Sequence, residues 1–158
     1  MYTKILVGYD GSKGGKAALA GAAALAEKFE SRLTALWVRE PLPRHSDLPG
    51  ESEGESEAAD EYFQERQKEV TEVAAQYGLS IDCETRRGHP AKTILQFARD
   101  GGFDLIVIGH SDHSELWGRL LGDTADRITD HAHCSVFVVK TGLLGSGSQP
   151  AFPTQKSL

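Results

Sequence analysis

Two short stretches of this chain, Ile5–Tyr9 and Leu105–Ile108, are apolar without the polar alternation of a half-exposed strand. A strand of that kind must be covered on both faces, which is the position of a central strand in a parallel sheet. Between and after these runs, helix-spaced apolar positions alternate with further strand-like segments. Ala18, Ala22, Leu25, Ala26 and Phe29 form one helical stripe, and Leu33–Val38 reads as a second strand. Phe63, Arg66, Val70, Val73, Ala74 and Tyr77 restore a helical period that Gly78 can end. Ser80–Thr85 alternates as a third strand. Pro90 opens a helix with Ala91, Ile94, Leu95 and Ala98 inward, and a last short helix from about Asp123 turns Ala125, Ile128 and Ala132 inward. Val136–Val139 is the final strand. Strands alternating with helices imply an α/β domain whose parallel sheet is wound by right-handed crossovers.

If the two apolar strands are neighbours, the winding reverses between them. Ligands of open α/β sheets bind at such a reversal, outside the carboxyl ends of the strands. This puts Asp10-Gly11-Ser12 and the loop after Gly109 on one crevice.

Charge sharpens the picture. The net charge is −6, and the stretch 40–61 alone holds eight acidic residues against Arg44. The remainder of the chain is close to neutral. This balance argues against a nucleic-acid partner bound by broad charge neutralisation. Residues 40–60, rich in Pro, Gly, Ser and Glu and without period, read as a mobile acidic loop. The tail 141–158, rich in Gly, Ser and Pro, reads as disordered. Residues 1–140 form a single domain. There is no signal-peptide pattern and no apolar run long enough to cross a bilayer, so a cytoplasmic protein with no membrane partner is expected. Cys83 and Cys134 lie far apart in the chain and read as reduced core thiols.

Several motifs fail. Gly14-Gly15-Lys16 suggests a phosphate loop, but that motif needs glycine where Asp10 stands and Ser or Thr where Ala17 stands. The two glycines read instead as first-turn helix residues. There is no Gly-x-Ser-x-Gly elbow, and no acidic set for a phosphoacceptor site. His110, His113, His131 and His133 with Cys134 do not converge at metal-ligand spacing; no metal site and no catalytic residue is expected.

Taken together, Ile5-Leu6-Val7-Gly8-Tyr9-Asp10-Gly11-Ser12, Gly88-His89-Pro90, Asp104 to Gly109, Leu120-Leu121-Gly122 and His131 to Val139 resemble the universal stress protein family, over about residues 3–140. The resemblance implies a Rossmann-like five-stranded parallel sheet with helices on both faces, of the adenine nucleotide alpha hydrolase-like type. It also implies a homodimer formed through the last strand, Val136, Phe137, Val138 and Val139. A branch of the family binds ATP or AMP. By that resemblance the nucleotide-binding candidates are Gly8, Tyr9, Asp10, Val38, Ile108, Gly109, His110, Asp112, Gly122, Asp123 and Thr124. Asp10 would face the ribose or adenine, and the Val38 backbone the adenine edge.

The phosphate signature of that branch is a glycine, two residues, a second glycine, nine residues, then a third glycine followed by Ser or Thr. Gly109 and Gly122 match its outer glycines, while Asp112 replaces the middle one and Asp123 the hydroxyl residue. Glycine allows close approach of backbone N–H groups to phosphate, and aspartate both blocks this and repels the anion. Asp123, at a helix N-cap, would compete for the same N–H groups. His110, His113 and Arg119 could offset part of the repulsion. The expectation is a non-enzymatic stress-response module with weak or absent ATP binding. The alternatives are an adenine-nucleotide-binding protein with slow hydrolysis, for which Asp112, Asp123 or His113 would be the base, and an adaptor acting through its acidic insert.

Overall fold

The computed structural model describes residues 1–40, 51–110 and 123–141. The elements follow in the order β1 (Lys4–Gly8), α1 (Lys13–Phe29), β2 (Arg32–Arg39), α2 (Glu51–Tyr77), β3 (Ile81–Arg87), α3 (Pro90–Asp100), β4 (Leu105–Gly109), α4 (Asp123–His131) and β5 (Ser135–Val139). The strands form one parallel sheet in the order β3-β2-β1-β4-β5. The two apolar runs are therefore neighbours at its centre, paired Ile5 to Leu105 and Val7 to Val107. The winding reverses between them, as the sequence pattern requires.

Strand alternation divides the core in two. Ile5, Val7, Tyr9, Leu33, Ala35, Leu105 and Val107 face α1 and α2, against Ala18, Leu19, Ala22, Ala26 and Val70. Leu6, Leu36, Ile106 and Ile108 face α3 and α4, against Ala91, Ile94, Ala98, Ala125 and Ile128. This explains the unbroken apolar runs, since β1 and β4 have no solvent face for polar residues to occupy. At the opposite end of the sheet a carboxylate fastens the same pair of strands. Asp104, just before β4, accepts hydrogen bonds from Thr3 N (2.8 Å), Thr3 Oγ1 (2.7 Å) and Lys4 N (3.1 Å). Burial acts to raise its pKa, but the hydrogen bonds from Thr3 and Lys4 outweigh it and hold the carboxyl below its ordinary value.

One expectation needs correcting. The acidic loop assigned to residues 40–60 is helical from Glu51 onward, and only 41–50 of it lies outside the described residues. The reason is that helix formation there needs no core face. Glu51–Asp60 consists largely of Glu, Ala and Ser, and acidic residues near a helix start are favoured by its dipole. The packed half of α2, anchored by buried Val70 and Ala74, provides the nucleus that this half extends. An amphipathic stripe is present only from Phe63 onward. The tail beyond Thr141 lies outside the described residues.

The short helix α4 is held by very few side chains. Ile128 is 0% exposed and with Ala125 forms its buried face. Ile128→Ala should destabilise the protein by about 2–5 kcal/mol in urea denaturation, as expected for deleting a buried branched side chain. A loss under about 1 kcal/mol would mean that α4 does not need this anchor.

Candidate functional site

The carboxyl ends of β1 and β4 lie side by side, and the chain that leaves β1 turns sharply into α1. Asp10 organises that turn. Its Oδ1 accepts from Ser12 N (2.9 Å) and Ser12 Oγ (2.6 Å). Ser12 caps α1 in turn, its Oγ accepting from Gly15 N at 3.1 Å. An Asp followed by Ser two residues later is thus used as a continuous turn-and-cap unit.

Three glycines make room for it. A Cβ on Gly15 would lie 2.6 Å from Asp10 Oδ1, and one on Gly109 would lie 2.1 Å from the Gly14 carbonyl oxygen. The start of α1 therefore lies backbone to backbone against the end of β4. Gly11 adopts φ +78°, and a Cβ there would collide with the Arg66 guanidinium. Gly14 and Gly15 are indeed first-turn residues of α1, with a close-approach role that the sequence reading did not assign.

The structure distributes the expected site residues unevenly. Gly8, Asp10, Gly109 and His110 lie at the carboxyl ends of β1 and β4, and the His110 N–H donates to the Val139 carbonyl at 2.8 Å, tying the end of β4 to that of β5. Tyr9 and Ile108 present only backbone there, because their side chains are buried in the two opposite core layers. Val38, half-buried, also turns its side chain to the α3/α4 layer. Thr124 is half-buried in the first turn of α4. Asp123 is the first residue of α4 rather than a position before it. Asp112 and Gly122, with His113 and Arg119, lie outside the described residues. Among the described residues, no three His, Cys, Asp or Glu side chains gather as a metal site.

Helix α2 contributes a group of residues that the strand-end reasoning missed. The Tyr62 hydroxyl donates to the Asp10 carbonyl oxygen, and the Arg66 guanidinium lies 4.6 Å from the Tyr62 ring centroid. Trp37 of β2 packs on Tyr62 with centroids 4.7 Å apart. Glu69 joins the cluster, 3.2 Å from Arg66 and 3.7 Å from Lys16 of α1. The Tyr9 hydroxyl donates to this carboxylate. The available signal was the spacing of Tyr62, Arg66 and Glu69, which places them on one helix face.

Comparison with known proteins decides what this arrangement belongs to. The profile of the universal stress protein family matches residues 1–140. The chain belongs to the universal stress protein family. A universal stress protein of Methanocaldococcus jannaschii, MJ0531, is 37% identical over 142 residues, covering 89% of this chain and 83% of that one. The solved universal stress protein UspA of Lactobacillus plantarum superposes with a TM-score of 0.73 at 29% identity, covering 87% and 97% of the two chains. A universal stress protein solved in complex with cAMP gives 0.70 at 24%, over 89% and 99%. The fold is therefore the adenine nucleotide alpha hydrolase-like sheet of this family.

Tyr9 supplies a pH test of the site's scaffold. Burial, and then the hydrogen bond and charge of Glu69, push its phenol well above the ordinary tyrosine value. The folded state thus favours the neutral phenol. That contribution is complete below the unfolded value of about 10 and fades as pH rises above it. Tyr9→Phe should cost about 1 kcal/mol at neutral pH and flatten the loss of stability from pH ~8 to ~11 in urea denaturation. Parallel pH curves for the two proteins would refute this account of the Tyr9–Glu69 contact.

Proposed function

We propose that this universal stress protein is a non-catalytic, cytoplasmic stress-response module whose crevice admits an adenine nucleotide but holds a triphosphate poorly. The observation that carries this reading is the start of α4, Asp123-Thr124-Ala125-Asp126, which puts two carboxylates in the first four residues of the helix. A helix N-terminus attracts anions through its free N–H groups and dipole. Here the chain's own carboxylates oppose that attraction. Each phosphate–carboxylate pair at about 4 Å costs roughly 1–4 kcal/mol at effective dielectrics of 80 to 20. Asp112 adds a third carboxylate at a position where the nucleotide-binding signature has glycine.

The base of the crevice favours the nucleoside end of a ligand. Asp10 is fixed by Ser12, and the exit of β2 at Val38 flanks it across β1. This supports a second reading, that a nucleotide with a single phosphate group is accepted; the relative solved with cAMP has the same fold. The cytoplasmic reading is supported by two free cysteines. No helix among the described residues is long and apolar enough to cross a membrane.

Titration calorimetry tests the ligand. ATP should bind more weakly than about 10 µM, roughly −7 kcal/mol, and less tightly than AMP. Asp112→Gly combined with Asp123→Ser should improve ATP affinity at least about tenfold, or 1.4 kcal/mol. An unchanged ATP affinity in the double variant would sink the electrostatic argument.

We further propose a homodimer through β5. This strand pairs only with β4 among the described residues, and Phe137 is 46% exposed on it. An open apolar edge strand needs cover, and a second copy supplies it. Sedimentation equilibrium should give twice the chain mass, and Phe137→Glu should shift the protein to monomer. A wild-type monomer at micromolar concentration would overturn the assignment.

A further inference from the structure

The outer surface between α3 and α4 holds a groove of about 390 Å³ that shares no residue with the crevice. Its floor is apolar, formed by Ala91 and Leu95, and its rim carries Lys92, Arg99 and Arg127 with His89 and His131. Pockets of this size with an apolar floor and a few convergent polar groups are typical of small-molecule sites.

Three features make the groove an anion site. First, no carboxylate lines it among the described residues. Asp100, the nearest acid along α3, accepts from the Gln96 amide at 2.7 Å. Second, Lys92, Arg99 and Arg127 have no ion-pair partner among the described residues, whereas Arg66, Arg86 and Lys16 do. Third, α3 begins with its N-terminus open. Its cap residue His89 makes no side-chain capping bond, and no acidic residue lies in its first turn. Pro90 carries no N–H, so this leaves the N–H groups of Ala91 and Lys92 and the positive end of the dipole available.

The charges fall at two poles. His89, Lys92 and the open N-terminus make one. Arg99 in the last turn of α3, with Arg127 at the middle of α4 and His131 at its end, makes the other. Lys92 and Arg99 are seven residues apart on one helix, which separates the poles by about 10 Å. Leu95 lies between them. Arginine and helix N-termini both suit phosphate oxygens. We propose that the α3/α4 groove binds a small molecule with phosphate groups at both ends of an apolar body about 10 Å long.

Hexanediol bisphosphate is a probe of that shape, and hexyl phosphate is its one-ended counterpart. By calorimetry at low salt, the bisphosphate should bind the full-length protein at least about tenfold more tightly than hexyl phosphate, a difference of 1.4 kcal/mol. Lys92→Ser and Arg99→Ser should each bring the bisphosphate to the level of hexyl phosphate while leaving AMP affinity and thermal midpoint as in the wild type. Because these side chains are exposed, neither change should impair folding. Equal affinity for the two probes, or bisphosphate binding indifferent to both substitutions, would overturn the proposal. So would one-for-one displacement of the bisphosphate by AMP, which would place it in the crevice. A failure of AMP to bind would count against the crevice reading alone.

Discussion

The burial of β1 and β4 against each other, with a pair of helices on each side, is the constraint on which the rest of this structure depends. Neither strand has a face that water reaches, so neither can shift register by one residue without exchanging its two core layers. Asp104 reinforces the pairing at one end by bonding the backbone of Thr3 and Lys4. At the other end the fixed register brings the exit of β1, just before Asp10, beside Gly109. The crevice is a by-product of the pairing, because the chain leaves two adjacent strands in opposite directions.

Close packing then shapes the crevice. The backbone contact of Gly14 with Gly109 draws the positive end of α1 down onto the end of β4. The Asp10–Ser12–Gly15 relay satisfies the N–H groups of Ser12 and Gly15 internally. The Asp10 carboxylate therefore has a structural duty whatever else it meets. Helix α2 closes the same turn from one side through Tyr62 and Arg66, with Glu69 balancing Arg66 and Lys16. The α1/α2 face of the turn is filled by protein, and the α3/α4 side carries the carboxylate-rich start of α4. The start of α3 differs from that of α4, since its cap residue His89 makes no side-chain capping bond and its first turn holds no acidic residue.

Much of the fold was legible in the residues. The central strands, the switch between them, the inward faces of α3 and α4 and the proline at the start of α3 all followed from periodicity and turn chemistry; the stripe of α1 held except at Phe29, which is exposed at the last turn of the helix. The start of α2 was not legible, because Glu51–Asp60 has no apolar stripe and periodicity detects packing rather than helicity. The site was legible at Asp10 and Gly109, which sit at strand ends. Tyr62, Arg66 and Glu69 were missed, since they come from a helix some fifty residues further along the chain and reach the turn only through packing.

The sequence by itself determined the order of elements, the pair of doubly buried strands and the family pattern, because these depend on local spacing and on which side chains avoid water. Only the tertiary structure decided that Tyr9 faces Glu69 and not the crevice, that Gly14 meets Gly109, and that Lys92, Arg99 and Arg127 share one groove. Such contacts are set by how two helices and a twisted sheet settle against one another. That is a property of three-dimensional packing, and no spacing along the chain encodes it.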